Sequence, residues 1–193
     1  YAVELAEESE VETGVDLLTD EKRERYEAED PPHGGPREHL AWLATRFGSG
    51  ADQAGGADRA ERSRDTDAAP DHDTVGAVAS DGETFAAATS TGGRSFALAG
   101  RVGDVPQVGS GFFCTEAGGA SATGAGEDIA RVTLSRLAVE RLEDGGDAQT
   151  AAEEAITEFE ALTGSGAGVI VIGDDEVGSA FNTDGMQTSV GYK

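Results

Sequence analysis

Thr74-Val75-Gly76-Ala77-Val78-Ala79 is the stretch on which the fold turns. Its β-branched and small residues read as a strand. Asp81-Gly82 follows as a hairpin signal, and Thr84 to Thr91 supplies the return strand. Downstream, residues 92–110 read as a glycine-punctuated loop. Phe112-Phe113-Cys114 forms a short strand, and Gly118 to Thr123 a small-residue strand or turn. Gly126 to Glu143 reads as one helix, opened by Glu127 and Asp128 and stopped at Gly145-Gly146. Ala148, Ala151, Ala152, Ala155, Ile156, Phe159 and Leu162 then recur at helical spacing, up to Gly164-Ser165-Gly166. Val169 to Ile172 is a buried-type strand, Asp174-Asp175 a turn, and Val177 to Phe181 its hairpin partner. Strands, two helices and strands again predict an α+β fold with sheets packed on a helical layer.

Upstream the texture differs. Ala2, Leu5 and Ala6 have helical spacing. Thr19 and Asp20 offer an N-cap to a helix over Glu21 to Glu27. Pro31-Pro32 and Gly34-Gly35-Pro36 break the chain before a short helix from Glu38 to Phe47, with Leu40, Leu43, Ala44 and Phe47 on one side. Residues 48–73 are rich in Gly, Ala, Asp and Arg with almost no large apolar residue, and read as a mobile or cleavable linker.

The 193 residues carry 38 Asp and Glu against 14 Lys and Arg, a formal charge of −24. That balance argues against nucleic-acid binding, which needs cations to meet phosphates. No apolar run is long enough for a membrane helix, and a lone cysteine, Cys114, excludes an internal disulfide framework. The acids are dispersed through helices and loops, and arginine far outnumbers lysine. A surface hydrated at high salt explains this better than a cationic partner does. The expectation is a halophile's cytoplasmic protein.

Conventional sites are scarce. His33, His39 and His72 all precede the strands; Asp71-His72-Asp73 reads as a solvated loop sooner than a metal site, so no metal site is expected. There is no Gly-x-Ser-x-Gly elbow and no phosphate loop. Cys114 has no evident histidine partner and reads as a small buried hydrophobe. What recurs is threonine beside glycine: Thr74-Val75-Gly76, Thr89-Ser90-Thr91-Gly92-Gly93, Gly100-Arg101-Val102-Gly103-Asp104 and Thr123-Gly124-Ala125-Gly126-Glu127. Any one of these is weak; an Arg-x-x-Asp in a glycine loop is usually a turn with a surface ion pair.

Taken in order, and with Phe181-Asn182-Thr183-Asp184-Gly185-Met186, the motifs resemble the N-terminal-nucleophile hydrolases of the plant-type L-asparaginase, isoaspartyl peptidase and glycosylasparaginase group. The resemblance is dense over residues 74–193 and weaker over 1–30. It implies a four-layer αββα sandwich. It implies residues 1–47 as the C-terminal part of a first (α) subunit, 48–73 as a flexible linker, and 74–193 as the catalytic (β) subunit. It also implies self-cleavage between Asp73 and Thr74, which makes Thr74 an N-terminal residue. A threonine hydroxyl needs a base beside it, and a freed α-amine, with a pKa of about 7.7–8.0, supplies one on the same residue.

By the same resemblance, Thr74 attacks the side-chain carbonyl of asparagine or of a β-aspartyl dipeptide. Thr123 and the Gly124 N–H would stabilise the oxyanion. Thr91 is the second active-site threonine, with Thr89 a nearby competitor. Arg101 would bind the substrate α-carboxylate and Asp104 its α-ammonium, with a backbone contact from Gly126. The family pattern departs at the front. His33-Gly34-Gly35-Pro36 sits in the wrong place for the family's His-Gly-Gly motif, and Tyr1 falls inside the first subunit. The resemblance places strands and a structural Na+ loop in a segment ahead of it. No other cofactor is implied. The partners implied are the small-molecule substrate, the chain's own N-terminal subunit segment and an (αβ)2 assembly, with neither nucleic acid nor membrane. His72-Asp73-Thr74 looks like the glycosylasparaginase branch, so N-glycosyl-asparagine is an alternative substrate. A non-catalytic acidic binding module, with its linker uncut, is the reading from another class.

Overall fold

The computed structural model describes residues 8–9, 19–46, 74–98, 100–174 and 176–192. They divide into two units, one before residue 54 and one after it. The first unit holds α1 (Asp20–Glu29) and α2 (Pro36–Arg46). Thr19 caps α1, its hydroxyl accepting from the Lys22 N–H. Arg46 Nε reaches Glu29 Oε2 at 2.6 Å, and this exposed pair holds the Glu29 carboxyl below its ordinary range. Neither helix has a buried residue. Of the expected stripe on α2, Leu40 is 53% exposed. The helix expected around Ala2, Leu5 and Ala6, Phe47, and the linker of residues 48–73 lie outside the described residues.

The second unit holds six strands and three helices. β1 (Thr74–Ser80) and β2 (Phe85–Thr91) form a two-stranded antiparallel sheet. The hairpin is closed by Asp81, whose Oδ1 accepts from the N–H groups of Glu83 and Thr84. β3 (Phe112–Thr115), β4 (Gly118–Gly124), β5 (Ala167–Ile172) and β6 (Val177–Phe181) form a four-stranded antiparallel sheet in chain order. The helices are α3 (Gly126–Val132), α4 (Leu134–Glu143) and α5 (Ala148–Thr163). The fold is α+β, as expected.

Alternation assigns the faces. Ala120 and Ala122 of β4, with Val169 and Val171 of β5, are buried in a cluster with Ile129, Leu134, Ala138, Val139, Ala152, Ala155, Ile156 and Phe159 of the helices. The intervening residues of β4 face the two-stranded sheet. A Cβ added to Gly76 would lie 2.2 Å from Ser121 Oγ, and one on Gly119 would lie 2.7 Å from Val78 Cγ1. Both glycines are therefore required by the closeness of the two sheets.

Three expectations need correction. Gly126 to Glu143 is two helices, because Thr133 sits at φ 56 between them. The cause is tertiary: the carbonyls of Ser110 and Gly109 accept the N–H groups of Ser135 and Arg136, and Ser135 Oγ also donates to Ser110 O. The loop thus takes the donors that a continuous helix would have bonded within itself. Leu162 is 60% exposed and leaves the apolar stripe of α5. Cys114 is only half-buried, with Sγ packed at Gly119 between the sheets; burial pushes its thiol pKa up.

Candidate active site

Thr74 opens β1 and Thr91 ends β2. They are register partners on the inner face of the two-stranded sheet, and the Thr74 hydroxyl donates to Thr91 Oγ1 at 3.1 Å. Thr91 Oγ1 also accepts from the Gly93 N–H. Thr89, the competitor, is engaged elsewhere. Its hydroxyl donates to Gly111 O at 2.7 Å and shares a 2.6 Å bond with Ser121 Oγ, tying one sheet to the other.

Strand geometry brings Thr123 to the same place. Val78 lies over Gly119 and Gly76 over Ser121. Two residues further along each strand the series reaches Thr74 and Thr123, at one end of the space between the sheets. Beyond Thr123 the chain turns at Gly124, with φ 135. A Cβ there would come within 2.5 Å of Gly166 O and 2.6 Å of Ala167 Cα, so only glycine lets the backbone pass. The Ala125 N–H then donates to Gly166 O.

The loop joining the two sheets carries the charged pair. Arg101 and Asp104 both face Gly126, where a Cβ would lie 2.5 Å from Asp104 Oδ1 and 3.0 Å from Arg101 Nη2. The loop is braced by Gln107 Nε2 donating to Gly103 O, and by Asp104 O accepting from the N–H groups of Gln107 and Gly111. Asp104 is 5% exposed, and burial raises its carboxyl pKa despite the nearby Arg101 charge. Thr74, Thr91, Arg101, Asp104, Thr123, Gly124 and Gly126 all line one broad cleft. Asp73 lies outside the described residues.

Glu127, which the sequence offers as an acid at a helix start and as the end of the Thr123–Glu127 motif but not as a site residue, joins this group. Its Oε1 accepts from Arg101 Nε at 3.0 Å and Nη2 at 2.7 Å, and Oε2 lies 3.3 Å from Arg94 Nη1. Burial alone would raise the Glu127 carboxyl; the Arg101 hydrogen bonds and charge outweigh it and hold it below its ordinary value. A guanidinium has five N–H donors. Two are spent on Glu127, and Nη1 lies over Gly103, where a Cβ would come within 2.7 Å of it. The position of Glu127 directly after the Gly124-Ala125-Gly126 turn was the available signal.

A hydroxyl bonded to a second hydroxyl, a glycine turn beside it, and an arginine and a buried aspartate a short way off line the same cleft. The chain belongs to the asparaginase family, whose model matches residues 2–193. It is 44% identical over 115 residues to a plant-type L-asparaginase of Thermococcus kodakarensis, covering 58% of this chain and 38% of the relative. It is 42% identical over 123 residues to an isoaspartyl peptidase of Escherichia coli, covering 62% and 38%. It is 40% identical over 116 residues to an isoaspartyl peptidase/L-asparaginase of Xenopus laevis, covering 58% and 38%. The matched stretch thus spans about two fifths of each of these relatives.

Proposed function

We propose that the intact protein is a threonine amidohydrolase that hydrolyses the side-chain amide of L-asparagine and the isopeptide bond of β-aspartyl dipeptides. Cleavage before Thr74 frees its α-amine. The amine accepts the Thr74 hydroxyl proton, directly or through water, and Oγ1 attacks the substrate's side-chain carbonyl. The Thr123 hydroxyl and the Gly124 N–H receive the oxyanion. Ammonia or an amino acid leaves with a proton returned from the α-amine. Water then hydrolyses the β-aspartyl ester and restores Thr74. Arg101 binds the substrate α-carboxylate, Asp104 the α-ammonium, and Gly126 contributes its backbone. This opposed pair selects an aspartyl unit with both of its backbone charges free.

The observation that carries the reading is the Thr74–Thr91 hydroxyl pair at the end of β1 on the Thr123 side of the sandwich. It supports Thr91, and not Thr89, as the second threonine. Mass spectrometry and kinetics of the full-length gene product test the proposal. A fragment beginning Thr-Val-Gly is expected, and Thr74→Ala should abolish both the cut and hydrolysis. An uncut product with activity retained in Thr74→Ala would overturn it. The His72-Asp73-Thr74 context also motivates a parallel assay on N-glycosyl-asparagine, where turnover above that of asparagine would assign the glycosylasparaginase branch.

The finer architecture belongs to the same proposal. It is a four-layer αββα sandwich whose αβ units pair as (αβ)2. Self-cleavage separates residues 1–73 from 74–193. Among the described residues no group of three His, Cys, Asp or Glu side chains is placed to hold a metal ion, and no step here is routed through one. No helix among the described residues is long and apolar enough to cross a membrane. A salt-adapted cytoplasmic enzyme is the proposed setting for the −24 charge. Its melting temperature should rise from low to molar KCl, and a flat curve would remove that part of the reading.

A further inference from the structure

We infer that Asn182 is a positioning residue for the oxyanion donors, an inference that rests on the amidohydrolase reading. Gly124 has no side chain to fix it. Its backbone lies directly on Gly166 and Ala167, and Thr123 and Gly124 pair in register with Gly168 and Ala167. The place of the Gly124 N–H is therefore set by residues 165–167, a short segment between the left-handed Gly164 that ends α5 and the first turn of β5.

Asn182 holds that segment at three points. Its Oδ1 accepts from the Ala167 N–H at 2.7 Å, its Nδ2 donates to Ser165 O at 3.0 Å, and its own N–H donates to Ala167 O at 3.1 Å. A primary amide combines the acceptor and the donor that these two backbone groups require. A fourth tie comes from the other side, where Ser165 Oγ bonds Asp128 Oδ2 at 2.5 Å. Asp128 stands on α3, two residues beyond Gly126. The segment is thus clamped between the chain that follows β6 and the helix that follows the oxyanion turn. The backbone of the Arg101–Asp104 loop is braced separately, at Gly103, Gln107 and Gly111, while the Arg101 side chain is held by Glu127 of α3. Loosening the clamp should shift the transition-state donors while leaving ground-state binding in place.

The test compares the full-length, self-cleaved enzyme with Asn182→Ala, Asn182→Asp and Ser165→Ala. Asn182→Ala should lower kcat on asparagine by about 10- to 100-fold, the scale of a misplaced catalytic group, with KM within about twofold. Asn182→Asp keeps the acceptor for Ala167 N–H and loses the donor to Ser165 O, so it should recover part of kcat. Ser165→Ala should lower kcat less than Asn182→Ala. Hydrogen–deuterium exchange of the peptide containing residues 123–126 should quicken in Asn182→Ala, while the peptide containing residues 101–107 stays as in the wild type. Unchanged kcat with unchanged exchange at 123–126, or a rise in KM at constant kcat, would overturn the inference. A wild-type enzyme that neither self-cleaves nor hydrolyses asparagine would overturn the amidohydrolase reading, and the exchange measurement would still decide the clamp.

Discussion

The four-stranded sheet buries one face of its two central strands, with Phe113 and Ala180 of the edge strands partly buried beside them. Ala120, Ala122, Val169 and Val171 meet α3, α4 and α5 in a continuous apolar cluster around Phe159. The two-stranded sheet is finished on one side only. Its inner face meets β4 through Gly76 and Val78, and its outer face presents Val75, Ala77, Ala79, Ala86, Ala88 and Ser90 to the exterior. Val75 is 67% exposed. The proposed catalytic parts divide the same way: the nucleophile stands on the thin sheet, the oxyanion turn on the thick one, and the substrate-binding pair on the loop between them. The proposed chemistry thus spans both sheets, while the described apolar core lies against one of them. The proposed nucleophile, which the proposed cut would release, sits on the sheet with fewer buried residues.

This contrast can be attacked from both sides. Phe159→Ala removes the largest fully buried side chain of the thick sheet's core and should cost about 3–5 kcal/mol. Denaturant unfolding of the full-length protein measures it, and a loss below about 1 kcal/mol would mean that the core does not organise around Phe159. Arg101→Ala should lower kcat/KM by about 100-fold, since a charged hydrogen-bonded pair is worth roughly 1.5–3 kcal/mol and its loss strands the substrate carboxylate. An unchanged kcat/KM would remove Arg101 from the site.

On the thin sheet, Ala77→Glu places a charge on the outer face. If the proposed sandwich has a further layer on that face, the change should destabilise the full-length protein by about 1–3 kcal/mol. A change within about 0.5 kcal/mol, as for an ordinary surface position, would leave the sandwich without its fourth layer.

Asp104 offers the smallest and most specific test. Its folded pKa is raised by burial, so its ionised form costs stability. That cost is absent below the unfolded pKa and complete above the folded one. Asp104→Asn should therefore raise the melting temperature at neutral pH, with the gain fading as pH falls through the folded pKa, while lowering kcat/KM. The wild-type acid limb of kcat/KM should lie above the ordinary aspartate range. A melting gain independent of pH would show that ionisation is not its source.

Much of this was legible in the chain. The hairpin was marked by Asp81-Gly82, the cap of α1 by Thr19, and α5 by its alanine stripe, because each signal is local. The break at Thr133 was not legible, since the cause lies in the carbonyls of Gly109 and Ser110, which meet the helix only after folding. Periodicity could not separate Thr89 from Thr91, because residues two apart share a face. The hairpin register sets Thr91, and not Thr89, opposite Thr74. The candidate residues Thr74, Thr91, Arg101, Asp104, Thr123, Gly124 and Gly126 were found by motif order. The partnership of Arg101 with Glu127 needed the side-chain geometry, for a glutamate opening a helix satisfies local rules without any partner.

The close approach of the sheets at Gly76 and Gly119 has a consequence for which sequences this fold can accept. A methyl group at either position would meet Ser121 or Val78 head-on. Neither glycine can grow unless its neighbour shrinks in compensation. Variation at Gly76 must be matched across the sheets by Ser121, and variation at Gly119 by both Val78 and its own neighbour Cys114. A designer seeking to widen the cleft for a larger leaving group would do better to alter the loop between the sheets than the strands themselves.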